Sequence, residues 1–198
     1  MPRVHYRKAR KDYGNHGIEK GDMYYYTKIK TGPRSSRVMR QLEPFKQSQL
    51  TTSPFKSGWF GIEEGWDASD KDAEAMRAAA EAMRELGEEA NNSYENMPEG
   101  LQEGDTGQLL YARAEGCESG ADELEGFADE WEGLEEPEEP DEMEEPEGDE
   151  ESNPEAWEAF NEWMSEQDDY QTALAEYEQE QESLRDQAQD IINAMPEY

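Results

Sequence analysis

The chain lacks most of the signatures by which familiar enzymes are recognised. Its 198 residues hold one cysteine, Cys117, and two histidines, His5 and His16. A single cysteine excludes an intrachain disulfide and a cysteine zinc cage. Neither histidine belongs to a paired-ligand motif, and both read as solvent-exposed. The sequence has no G-x-S-x-G elbow, no Walker A loop and no Rossmann fingerprint. No apolar run approaches the roughly 20 residues of a membrane span. The opening "MPRVHYRKARKDYG" has no apolar h-region of a secretory signal. Hydrophobic residues make up only 33% of the chain against 35% charged, so one large core is not expected. These absences point to a soluble, cytoplasmic, non-enzymatic protein with no cofactor, no metal and no membrane partner.

What is present is an uneven charge. The formal net charge is -33, yet residues 1–60 carry a balance of +9 and residues 61–198 a balance of -42. A basic segment suggests a polyanionic partner. An acidic remainder suggests solubility, imitation of nucleic acid, or attraction to a basic protein surface.

The fold class read from the pattern is an α-dominated α+β protein in four parts. Residues 1–66 form a small basic module built on a β-hairpin. Period two over Met23–Lys30 places Met23, Tyr25, Thr27 and Ile29 on one face and Tyr24, Tyr26, Lys28 and Lys30 on the other. "TGP" at 31–33 turns the chain, and "SSRVMRQ" returns as a second strand. A hairpin alone is marginal. Phe45, Phe55, Trp59, Phe60 and Trp66 are expected to cover it. Val4 and Tyr6 can form a further short strand, while "RKARKDYGNHG" reads as an arm or loop.

Residues 67–134 read as an acidic, antiparallel helical hairpin. The first helix starts near Ser69 or Asp70, carries Met76, Ala79, Met83, Leu86 and Ala90 on one seam, and ends before Pro98. The second starts at Asp105 or Thr106, with Leu110, Ala114, Cys117, Ala121, Leu124, Ala128 and Trp131 as its seam. Gly116 and Gly120 beside that seam imply close backbone approach. Residues 135–153 contain twelve acidic residues with Pro137, Pro140 and Pro146. They read as an extended, disordered linker, offering at most weak and nonspecific divalent binding because EF-hand loop spacing is missing. Asn153–Pro154 then opens a long amphipathic helix over 154–195. Its packing seam includes Trp163, Tyr170, Leu174, Tyr177, Leu184 and Ile191. That stripe is expected to dock on the helical hairpin or to pair with another copy.

Three blocks, "GIEKGDMYYY" (17–26), "SQLTTSPF" (48–55) and "NMPEGLQEGDTGQLLYARAEGCESGADELE" (96–125), resemble small proteins of unassigned role encoded by bacteriophages and prophages. The resemblance implies an accessory protein acting in the host cytoplasm. It implies no catalytic residue.

The candidate interface is the basic strand face. Tyr24 and Tyr26 supply rings for stacking bases, and Lys28 and Lys30 supply positive charge. Arg34, Arg37 and Arg40 extend the patch along a phosphate backbone. The plainer readings are that the tyrosines cover a small sheet, or that the basic module docks on the acidic helices of its own chain. The leading expectation is a non-enzymatic binding protein whose basic module contacts nucleic acid or a ribonucleoprotein. One alternative is an acidic helical mimic that inhibits a host nucleic-acid-processing protein through a basic surface. Another is a virion or scaffold component assembled through the C-terminal helix. Cys117, on a buried seam, reads as an inert small hydrophobe.

Overall fold

The computed structural model describes residues 2–146 and 153–196. It is helix-dominated, with a small antiparallel sheet at its N-terminal end. The hairpin has become three strands in the order β1 (Val4–Lys8), β2 (Met23–Lys30) and β3 (Ser36–Gln41). Tyr26 is the centre of the register, opposite His5 on β1 and Arg40 on β3. The "RKARKDYGNHG" arm is not a free tail. It folds back through a Tyr13–Ile18 bridge and a short 3-10 turn at Gly14–His16. Ala9, Ile18 and Tyr24 are then buried together, with Tyr13 and Tyr26 packed against them.

The helical part starts earlier than the aromatic pattern suggests. Ser53 caps α1 (Pro54–Asp67) by accepting from the Lys56 amide, and Pro54 occupies the first turn. Phe55, Trp59, Ile62 and Trp66 follow at helical spacing, so one face of α1 is apolar. That face turns into the helical core, not onto the sheet. The expectation that Phe55, Trp59 and Trp66 cover the sheet is therefore corrected. Phe60, on another side of α1, does approach it, as described below.

Lys71 has φ +55, a left-handed conformation that separates α1 from α2 (Ala73–Glu95). The Asp72 carboxylate accepts from the Ala75 amide at 2.9 Å and sets the start of α2 a few residues beyond Ser69. A single turn, α3 (Glu99–Gln102), precedes α4 (Asp105–Gly133). Met76, Ala79, Met83, Leu86 and Ala90 of α2 are buried, as are Cys117, Ala121, Leu124 and Ala128 of α4. Each fully buried large side chain in this seam contributes about 1.5–3 kcal/mol. Close approach is real at Gly120, where an added Cβ would lie 3.3 Å from both Met83 Sδ and Ile191 Cγ2.

A ladder of ion pairs runs beside the apolar seam. Arg77 bonds Asp129 at 2.8 Å and also Glu132. Arg84, seven residues on, bonds Asp122 at 2.9 Å and also Glu125. The falling acid numbers against rising arginine numbers are the signature of an antiparallel pair. Hydrogen bonds from Arg84 and Arg77 hold the Glu125 and Glu132 carboxyls below their ordinary range.

The last helix, α5, spans Pro154–Asn193. Asn153 stands before it, but its side chain makes no capping bond. Only the C-terminal part of α5 enters the bundle: Leu184, Ala188 and Ile192 are buried and Ile191 is half-buried. Trp59 Nε1 donates to the Ile192 carbonyl at 2.8 Å, and Trp66 Nε1 to Gln189 Oε1 at 2.8 Å. Arg185 lies over the Trp131 ring at 4.8 Å. Trp163, Tyr170, Leu174 and Tyr177 are half-buried on the remaining length. Among the described residues, no helix is long and apolar enough to cross a membrane.

Candidate polyanion site on the basic sheet

Strand pairing assigns each basic side chain on the three strands a face. Directly opposed residues in an antiparallel ladder project to the same side. His5, Arg7, Tyr24, Tyr26, Lys28, Lys30, Val38 and Arg40 share one face. Val4, Tyr6, Lys8, Met23, Tyr25, Thr27, Ile29, Arg37 and Met39 share the other. Arg37 is thus opposite Ile29 and lies away from Lys28 and Lys30, which corrects its grouping with Arg40 in one patch. Arg34 is exposed between β2 and β3.

Tyr24 is not available for stacking. Its side chain is completely buried under the folded-back 9–22 segment. Arg7 Nε donates to its hydroxyl at 2.9 Å, and the Tyr13 ring sits 5.5 Å away. Burial pushes the Tyr24 phenol up, but hydrogen bonds with Tyr13 and Arg7 and the arginine charge outweigh it, so the net shift is downward. Tyr26 is half-buried: His5 stacks on it at 4.8 Å and the Arg7 guanidinium lies over it at 4.4 Å. Arg40 is half-buried with its guanidinium 4.7 Å from the Tyr13 ring. These cation–π contacts organise the sheet and leave the arginines charged. The two tyrosines expected to stack bases are therefore occupied by their own chain.

The accessible aromatic pair lies on the opposite face. Tyr6 and Tyr25 are cross-strand partners with ring centroids 4.5 Å apart, and Tyr6 is 56% exposed. Sequence reasoning missed this pair. The signal was there in the alternation of "VHYRK", which marks Val4 and Tyr6 as one strand face but does not say that β1 pairs with β2 and sets Tyr6 opposite Tyr25.

Lys28 and Lys30 are exposed and meet residues from beyond the sheet. They line a cleft of about 530 Å³ together with Lys56, Thr51, Thr52, Leu50, Ile29 and Phe60. The cleft forms where the end of β2 faces the segment entering α1. None of its described lining residues is acidic. In a chain with 51 carboxylic side chains, that is a selective environment. Lysine ammonium groups beside threonine hydroxyls suit phosphate oxygens, and Phe60 adds an apolar surface for a base or sugar. Among the described residues, no ion pair joins Lys28, Lys30, Arg34, Arg37 or Arg40 to a carboxylate. The chain's acidic helices thus do not neutralise these cations in the arrangement described.

Cys117 is buried in the α2–α4 seam, and burial pushes its thiol up to about 11. Such a thiol is protonated at neutral pH and a poor nucleophile. Among the described residues, no group of three or more His, Cys, Asp or Glu side chains is placed to hold a metal ion. Compared with protein-family models, with curated proteins and with solved structures, the chain gives no match.

Proposed function

We propose that this is a non-enzymatic binding protein, of the accessory kind its phage-like blocks suggest, whose basic sheet takes single-stranded nucleic acid. The observation that carries the reading is the cleft where Lys28 and Lys30 meet Thr51, Thr52 and Phe60 with no acidic residue among its described lining. A phosphate backbone enters that cleft, where the lysines neutralise its charge. Tyr6, packed at a tilt against Tyr25, offers an exposed ring to a base at the other side of the sheet. Single-strand binders combine these two elements, a positive groove and a stacking ring. Arg34 and Arg37 add charge along the sheet edge without any carboxylate partner among the described residues. The acidic helical remainder keeps the protein soluble and restricts polyanion contact to the sheet. A mimic reading of those helices rests on charge alone, and Arg77 and Arg84 already engage four of the carboxylates within the chain.

The test is anisotropy of labelled single- and double-stranded oligonucleotides titrated with the full chain at low salt. The single strand is expected to bind more tightly. Tyr6→Ala is expected to weaken it by about 1–3 kcal/mol, the value of one lost stacked base. Tyr24→Phe is expected to leave it unchanged. Failure of both oligonucleotides to bind contradicts the proposal.

A further inference from the structure

Residues 134–146 carry a pattern that charge and hydropathy hide. Leu134, Pro137, Pro140 and Pro146 are half-buried, while the eight carboxylic residues between them are exposed. Met143 keeps the same spacing at 41% exposure. A repeat of three is the period of the polyproline II helix, which puts every third residue on one side. Leu134 itself has φ -70 and ψ 127, within that conformation.

The repeat runs along α5. Trp163 Nε1 donates to the Asp141 carbonyl at 2.7 Å, and Trp157, Phe160 and Trp163 are half-buried. Phe160 stacks on Trp163 at 5.5 Å and meets Trp157 edge-on at 5.8 Å. A polyproline II residue rises about 3.1 Å and a helical residue about 1.5 Å. One strap residue therefore matches about two residues of α5. Counting outward from the Asp141–Trp163 contact brings Met143, Pro137 and Leu134 to within about one residue of Phe160, Tyr170 and Tyr177, sets Pro140 beside the Trp163 contact, and carries Pro146 past the start of α5. Each of these three helix residues is half-buried. Just beyond, Arg185 of α5 lies over Trp131 of α4.

We propose that the aromatic ladder of α5 is a polyproline II binding site and that residues 134–146 are its resident ligand. The recognition chemistry is the one aromatic grooves use for proline-rich segments: rings pack against every third side chain, and an indole N–H reads a main-chain carbonyl. A second indole donor, Trp157 Nε1, is buried without an acceptor among the described residues. The ligand class is a proline-rich strand with an apolar residue at each third position. The inference is independent of nucleic-acid binding at the sheet.

Charge opposes this contact. No lysine or arginine occurs between Arg113 and Arg185, so an acidic strap lies on an acidic helix. Packing and the indole hydrogen bond hold it against like-charge repulsion. Added salt screens that repulsion and tightens the strap, opposite to the behaviour of a salt-bridged contact.

The test uses the full chain and follows hydrogen exchange of the Trp163 indole, assigned with Trp163→Phe. In the wild type, exchange is slower than in free tryptophan and slows further as salt rises. Pro137→Gly with Pro140→Gly speeds it, while the amides of Leu184–Ile192 keep their protection. A synthetic peptide of residues 134–146 with its acids changed to amides, added to that variant, restores slow exchange. The unmodified acidic peptide binds more weakly, and the gap narrows at high salt. Free-tryptophan exchange in the wild type, indifference to the proline changes, or failure of the amide peptide to restore protection each overturns the proposal.

Discussion

The Trp59 indole closes the C-terminal end of α5 by donating to the Ile192 carbonyl, 133 residues away in sequence. The last four carbonyls of a helix have no partner within it. Ile192 is one of them, because α5 ends at Asn193. Both side chains are buried, so water cannot easily replace the bond. Trp59→Phe keeps a ring and deletes the donor. It is expected to cost about 1–3 kcal/mol, the penalty for an unsatisfied buried carbonyl. Denaturant titration measures the loss, and faster amide exchange near the end of α5 locates it. An unchanged midpoint contradicts the assignment.

Two glycines in the hairpin are expected to respond with opposite sign. A Cβ at Gly87 would lie 2.9 Å from Cys117 Cβ and 3.3 Å from the Ala114 carbonyl oxygen. Gly87→Val therefore wedges α2 from α4 and destabilises by about 1–3 kcal/mol. At Gly126 of α4 nothing lies within 4 Å of the added carbon. Gly126→Ala there stabilises by about 1 kcal/mol through helix propensity. Thermal melts of the two variants, moving in opposite directions, check the α2–α4 packing.

The Cys117 thiol supplies a pH test. Burial raises it to about 11 from an ordinary 9.0. Between those values the unfolded chain releases the proton and the folded chain keeps it. The contribution is complete below pH 9.0 and is lost as pH rises through about 11. A thiol reagent at pH 8 is expected to react with Cys117 only on unfolding. Cys117→Ala is expected to flatten the alkaline fall in stability. Rapid labelling of the folded protein contradicts a closed seam.

Much of the helical architecture was legible because apolar side chains at steps of three and four mark a helix face. The Met76–Ala90 and Cys117–Ala128 seams needed only that rule. Period two likewise grouped Tyr24, Tyr26, Lys28 and Lys30 on one side of β2. It does not say which side faces water. Tyr24 is buried because Ile18 and Tyr13 return over it, a tertiary event decided by the turn at Gly14–Gly17. The Lys28–Lys56 cleft joins positions 28 residues apart, which no local pattern encodes. The three-residue spacing of Pro137 and Pro140 was visible, but the carboxylates around it read as a spacer. Part of the 135–153 linker, residues 147–152, lies outside the described residues.

The most direct test of the sheet as a polyanion site is the salt dependence of single-stranded oligonucleotide binding by the full chain, compared with Lys28→Ala/Lys30→Ala. Each phosphate neutralised on a single strand contributes about -0.7 to the slope of log K against log salt. Removing both lysines from the cleft is predicted to weaken binding and make the slope shallower by about 1.4. A double variant that binds as tightly as wild type with an unchanged slope would contradict the account.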